Sequence, residues 1–184
     1  RLAAHILGGA SFGREGVHSA EVIGVAGVEK TFDERLRKPS ISVDPLKLSI
    51  DLSVQAAVES VLGGGMSLLN AKGAAAILMN VNNGEIISLA SLPDFDPNHR
   101  PKLPSTGDPA NSPLFNRAIQ GVYELGSTFK IFAIAQALEL KLVSPETMIN
   151  VSGPLRWGKF KIRDFHNYGS ELPVKKIISK SSNI

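Results

Sequence analysis

Hydrophobic positions along this chain change period several times, and each change marks an element. In GVEKTFDERLR, residues 27–37, Val28, Phe32 and Leu36 recur every four residues, which predicts a short amphipathic helix. KPSISVDPLKLSI, residues 38–50, has two prolines and loose alternation at Ile41, Val43, Leu46, Leu48 and Ile50. That pattern predicts extended structure and a boundary between a leading segment, 1–45, and a main domain, 46–184. In DLSVQAAVESVL, residues 51–62, Val54, Val58, Val61 and Leu62 share one stripe, with Asp51 as N-cap and Gly63–Gly65 as the expected stop.

Two apolar runs within residues 74–92 flank Asn82, Asn83 and Gly84, and Asn-Gly tolerates the positive φ of a tight turn, so an antiparallel hairpin of buried strands is expected. Residues 93–113, PDFDPNHRPKLPSTGDPANSP, cannot sustain helix or central strand, and a connection of that length is unusual unless it covers a site. From Ser127 to Leu140 there is no Gly or Pro and most positions are apolar, which predicts a helix buried nearly all round. Residues 148–165 predict a hairpin carrying Trp157. Pro173 then opens a short helix with Val174, Ile177 and Ile178 inward, ending near Ser181.

Composition supports a packed globular protein: 43% of the 184 residues are hydrophobic and 20% charged. The net charge of +3 is spread without a basic stripe or aromatic interleaving, which argues against a nucleic-acid partner. Cysteine is absent, a usage compatible with either cytosol or periplasm. No run of 18 apolar residues reads as a membrane span, and RLAAHILGGASF lacks the regions of a signal peptide, so a soluble chain is expected. The absence of a starting Met and the ending SKSSNI suggest a piece of a longer protein.

The candidate chemistry lies at the mouth of the apolar helix. Residues i and i+3 share a helical face, so Ser127 and Lys130 can hydrogen-bond as nucleophile and base. Burial in the apolar helix favours the neutral amine, and the helix N-terminus offers N–H groups to a developing oxyanion. By itself S-x-x-K is a common string, equally read as a capping serine and a snorkelling lysine. Likewise Ser181-Ser182-Asn183 alone reads as a polar helix end. In that order, however, S-x-x-K and S-x-N follow the motif pattern of penicillin-binding proteins and related lactamases, with serine here where S-D-N has aspartate.

Longer stretches agree with that order: GVAGVEKTFDERL, LSIDLSVQAAVE, AAAILMNVNNGEIISLASLPDFDPN, NRAIQGVYELGSTFK and DFHNYGSELPVKKIISKSSNI. Together they make the chain resemble the class B penicillin-binding proteins, most closely the division-specific peptidoglycan D,D-transpeptidases. The resemblance implies an α+β transpeptidase fold of the serine β-lactamase type, an antiparallel sheet flanked by helices and incomplete in this chain. Residues 1–45 would be the end of a non-catalytic pedestal, and 46–184 the N-terminal half of the transpeptidase domain. It also implies that Ser127 is the acylated nucleophile, Lys130 its general base, Ser181 the relay that protonates the leaving amine, and Asn183 a hydrogen-bond partner of the substrate backbone.

The substrates so implied are peptidoglycan stem peptides, with β-lactams as mimics that acylate the same serine. Implied partners are divisome proteins, including a glycosyltransferase, and the implied location is the periplasmic face of the inner membrane, with a single anchor in the parent protein. Neither metal nor organic cofactor is implied. The chain departs from the family in Leu125, where proline usually stands, in a shorter stretch between Leu36 and Leu46, and in having no K-[ST]-G after Asn183. The last departure implies that these 184 residues alone acylate poorly or not at all.

STFKI also resembles the class D β-lactamases and β-lactam sensors, which usually carry a hydrophobic residue where Asn183 stands and lack the GVEKTFDERL segment. A different reading is a non-catalytic divisome interaction module, against which the four intact site residues argue. Trp157, Phe160 and Phe165 are expected to serve core or edge packing rather than a ligand platform. His5, His18, His99 and His166 show no metal-ligand spacing, and Glu124 is expected to serve a turn or salt bridge.

Overall fold

The computed structural model describes residues 2–12, 22–38, 40 and 44–184. The chain divides into two compact units, Arg1–Val122 and Tyr123–Ile184. The first unit opens with a short helix α1 (Ala4–Leu7) and two antiparallel strands, β1 (Gly9–Phe12) and β2 (Val22–Ala26), with Gly9 opposite Ala26. The single helix expected over residues 27–37 is split into α2 (Gly27–Thr31) and α3 (Asp33–Arg37). Asp33 explains the split: Oδ1 accepts the Gly24 N–H at 2.8 Å and Oδ2 accepts Arg37 Nε at 2.9 Å, which ties the start of α3 to β2. Ile41, Val43 and His18 lie outside the described residues.

Leu46, Leu48 and Ile50 form no paired strand. Ser49 Oγ instead donates to Ile86 O at 2.7 Å, and the Asp51 N–H to Ile87 O at 3.0 Å. Helix α4 (Leu52–Leu68) begins as expected, with Asp51 Oδ1 accepting the N–H groups of Ser53 and Val54 at 2.8 and 3.0 Å. It does not stop at Gly63–Gly65. Each glycine weakens a helix by roughly 0.5–1 kcal/mol relative to alanine, which a long helix tolerates, and a left-handed residue just past the last turn is a common way to end one. Asn70 supplies it at φ 48°, and the Ala71 N–H closes back on Met66 O at 2.9 Å.

Strands β3 (Ala74–Met79) and β4 (Ile86–Leu92) form the expected hairpin, with Ala76 opposite Ala90. Its connection is wider than a two-residue turn: the Asn80 N–H bonds Glu85 O and the Gly84 N–H bonds Asn80 O, both at 2.8 Å, with Gly84 at φ 77°. Burial is one-sided, since β4 carries buried Leu89, Ala90 and Leu92 beneath α4 while most of β3 is exposed.

Gln55, fully buried, locks α4 to β4. Its Oε1 accepts Ser88 Oγ–H at 2.7 Å and the Leu89 N–H at 2.9 Å, while Nε2 donates to Leu89 O at 2.9 Å and Glu59 Oε1 at 2.8 Å. All four hydrogen-bonding positions of the amide are thus occupied. Glu59 Oε1 also accepts the Ala3 N–H at 2.8 Å, attaching the leading segment to α4. Residues 93–113 hold only two 3₁₀ turns, Pro97–His99 and Pro109–Asn111, each capped by an aspartate, Asp96 and Asp108.

In the second unit a 3₁₀ turn, Gly126–Phe129, runs into α5 (Lys130–Glu139). Four short strands follow, β5 (Met148–Asn150), β6 (Leu155–Trp157), β7 (Phe160–Ile162) and β8 (Glu171–Pro173), and then α6 (Val174–Lys180). The expected hairpin is narrower than 148–165. Only β6 and β7 form it, about Gly158 at φ 56°, while β5 pairs with β8. Trp157 sits on that hairpin 76% exposed, and Phe160 and Phe165 are exposed as well, so none packs in a core of the described residues.

Helix α5 corrects another expectation. Ile131 and Phe132 are 59% and 63% exposed, and no residue of α5 is buried. Its apolar composition prepares several faces for cover, and within the unit it packs against α6 and the preceding 3₁₀ turn. Pro173 caps α6 rather than occupying its first helical position, and of its three expected inward residues Val174 is buried, Ile177 half-buried and Ile178 exposed.

Candidate active site

Helix α5 and the end of α6 bring three of the four candidate residues together. Lys130, the first residue of α5, directs Nζ at Ser181 O (2.7 Å), Ser181 Oγ (3.1 Å) and Asn183 Oδ1 (2.8 Å). These three acceptors match the three donors of a lysine side chain. Ser127, one turn earlier in the 3₁₀ segment, is exposed, and its hydroxyl has no hydrogen bond among the described residues. The expected Ser127–Lys130 bond is therefore not formed. Lys130 is half-buried.

The local backbone explains why both ends of the site are shaped as they are. Gly126 takes φ 54°, which turns the chain into Ser127 at no Cβ cost. Thr128 steadies the turn by donating Oγ1–H to Leu125 O at 2.6 Å. At the other end Ser181 adopts left-handed φ 55°, ψ 39° and terminates α6, with the Ser181 N–H on Ile178 O (3.0 Å) and the Ser182 N–H on Ile177 O (3.1 Å). A non-glycine residue in this region is strained and persists only where its surroundings hold it.

Asp164 provides that hold, a role that no motif along the chain assigns to it. Its Oδ2 accepts Ser182 Oγ–H at 2.7 Å and its Oδ1 accepts the Asn183 N–H. Ser182 is 2% exposed, so its hydroxyl needs this partner. Asn183 Nδ2 donates to Arg163 O at 3.0 Å, so its side-chain amide bridges Arg163 and Lys130. Tyr168 donates its hydroxyl to Lys180 O at 3.0 Å. Asp164 stands 18 residues before Ser182, a separation that no local motif reports.

A hydroxyl, an amine and a serine-asparagine turn in this order follow the S-x-x-K and S-x-N motif pattern of penicillin-binding proteins and related lactamases. The chain belongs to the penicillin-binding protein transpeptidase family: residues 74–184 match the family model described as the penicillin binding protein transpeptidase domain. It is 34% identical over 183 residues to a probable peptidoglycan D,D-transpeptidase FtsI of Caulobacter vibrioides, covering 99% of this chain and 29% of that protein. Identity to the peptidoglycan D,D-transpeptidase FtsI of Buchnera aphidicola is 36%, over 87% of this chain and 31% of the relative. The chain thus spans under a third of the length of these curated relatives. A crystal structure of Pseudomonas aeruginosa PBP2 in complex with WCK 5153 shares the fold, with a TM-score of 0.68 at 22% identity over 95% of this chain and 41% of that one. The α+β transpeptidase fold expected from the sequence, present here in part, is thereby established.

Proposed function

We propose that this chain is part of a division-specific peptidoglycan D,D-transpeptidase, with residues 1–45 ending a non-catalytic segment and 46–184 forming the N-terminal half of the catalytic domain. The observation that carries this reading is the convergence of Lys130 Nζ on Ser181 and Asn183, which joins the two short motifs into one site. Ser127 Oγ attacks the carbonyl of the penultimate D-alanine of a stem peptide. An ester forms, the amide bond to the terminal D-alanine breaks, and the hydroxyl proton passes by way of Lys130 and Ser181 to the leaving amine. Asn183 hydrogen-bonds the peptide backbone. An amine of a neighbouring strand then attacks the ester, a new amide forms, and Ser127 recovers a proton. Attack requires Ser127 within about 2.6–3.2 Å of its base, a distance that often closes only when substrate binds.

β-Lactams imitate the D-alanyl-D-alanine end and acylate the same serine. The full-length protein is proposed to hang from the inner membrane by one N-terminal helix, with this region in the periplasm, alongside divisome proteins that include a glycosyltransferase. Among the described residues no helix is long and apolar enough to cross a membrane. The test is labelling of the full-length protein with a fluorescent penicillin. One label per molecule is expected, lost in Ser127→Ala. Labelling that survives this substitution, or many nitrocefin molecules hydrolysed per protein, overturns the reading, the latter in favour of a β-lactamase.

A further inference from the structure

The Ser181-Ser182-Asn183 turn is not self-supporting. Ser181 is left-handed, Ser182 is buried, and Asn183 must present Oδ1 to Lys130 while its own backbone N–H faces inward. Both inward-facing donors of the turn, Ser182 Oγ–H and the Asn183 N–H, end on the one carboxylate of Asp164. Asp164 in turn is placed two residues beyond β7, at the root of the β6–β7 hairpin. The neighbouring Arg163 carbonyl holds Asn183 Nδ2, so the same stretch fixes the backbone and the side chain of Asn183.

We propose that Asp164 is a positioning residue for acyl transfer. By receiving Ser182 and Asn183 on its two oxygens, it sets the turn that aims Ser181 and Asn183 at Lys130. The inference rests on the proposed chemistry of Ser127 and adds a residue that touches neither substrate nor the reacting atoms. A carboxylate suits the task because it only accepts hydrogen bonds and both partners donate. Asparagine can partly replace it, with Oδ1 on the Asn183 N–H and Nδ2 donating to Ser182 Oγ. Alanine leaves both donors without a partner. The turn then relaxes, and Ser181 and Asn183 move away from the amine they hold at 3.1 and 2.8 Å.

The experiment measures the rate and final extent of acylation of the full-length protein by fluorescent penicillin, with Asp164→Ala, Asp164→Asn, Ser182→Ala and Ser127→Ala compared with wild type. Misplacement of catalytic groups by about 1 Å can cost on the order of 100-fold, so Asp164→Ala is expected to slow acylation about 10- to 100-fold while nearly every molecule is eventually labelled. Asp164→Asn should recover most of that loss. Ser182→Ala should slow acylation by a smaller factor, and adding it to Asp164→Ala should cost nothing further, because the Ser182–Asp164 contact is already lost with Asp164.

A purely structural role for Asp164 would lower the labelled fraction and leave the rate of the labelled molecules unchanged, and that result overturns the proposal. So do Asp164→Ala and Ser182→Ala rates within twofold of wild type. If Asp164→Ala does not fold, Ser182→Ala decides by the same rate criterion. Failure of the wild type to label, or labelling of Ser127→Ala at the wild-type rate, overturns the reading of Ser127 and this inference with it. Normal labelling that depends on Ser127 but is indifferent to Asp164 and Ser182 overturns this inference alone.

Discussion

Lys130 Nζ lies 2.8 Å from Asn183 Oδ1, across 53 residues of chain. The contact places an amine from the first turn of one helix against the turn that ends another. Through it the two short motifs, each unremarkable alone, become neighbours.

Lys130 is therefore expected to be indispensable for acylation and dispensable for folding. General base catalysis contributes about 10²- to 10⁴-fold, and Lys130→Ala should lose that much of the penicillin acylation rate. Lys130→Arg should be nearly as slow, because arginine retains charge and donors but cannot take up a proton. Half-exposure of the side chain predicts melting temperatures near wild type for both. Stopped-flow acylation paired with thermal melting of the full-length protein checks both statements. A fast Lys130→Arg variant would show that only the positive charge matters.

Gln55 is expected to matter for stability instead. Gln55→Leu keeps an apolar helix face but strands Ser88 Oγ–H and both backbone groups of Leu89 in the interior. Leaving buried polar groups unpaired costs about 1–3 kcal/mol each, so a loss of about 3 kcal/mol is expected in urea unfolding. Val61→Ala, on the exposed side of the same helix, should stay within about 0.5 kcal/mol of wild type.

His5 predicts a pH dependence. Its ring meets Phe95 edge-on, with centroids 5.2 Å apart, and Nε2 lies 2.8 Å from Pro113 O. Burial lowers its pKa below the usual 6.5, partly opposed by the Pro113 carbonyl and Asp94, with Arg117 and Arg100 adding to the lowering. Between 6.5 and the lower folded value the unfolded chain binds more protons than the folded one. The contribution of His5 to stability is thus complete above 6.5 and is lost as pH falls through that interval. Unfolding midpoints measured from pH 7.5 to 5 should fall more steeply for wild type than for His5→Gln. Parallel curves would remove His5 from the account.

Features written within a turn or two of sequence were legible without coordinates. Asp51 caps α4 from its place before Leu52, Asn and Gly shape the bend between β3 and β4, and the spacing of Ser127 and Lys130 marks the mouth of α5. Where local signals compete, spacing along the chain does not decide between them. Three glycines looked like a stop, but Asn70 ended the helix because it takes the left-handed conformation that closes the last turn.

The sequence by itself determined the family, the order of its motifs and the identity of the four residues proposed to do the chemistry, because motif order survives in one dimension. Tertiary structure alone decided that β8 pairs with β5, that Gln55 is buried, that α5 is left exposed, and that Asp164 holds the turn beneath Lys130. The physical reason is separation along the chain. A cap or a tight turn is fixed by backbone geometry over about four residues, whereas a buried hydrogen bond between groups 18 or 34 positions apart exists only once packing has excluded water and brought donor to acceptor.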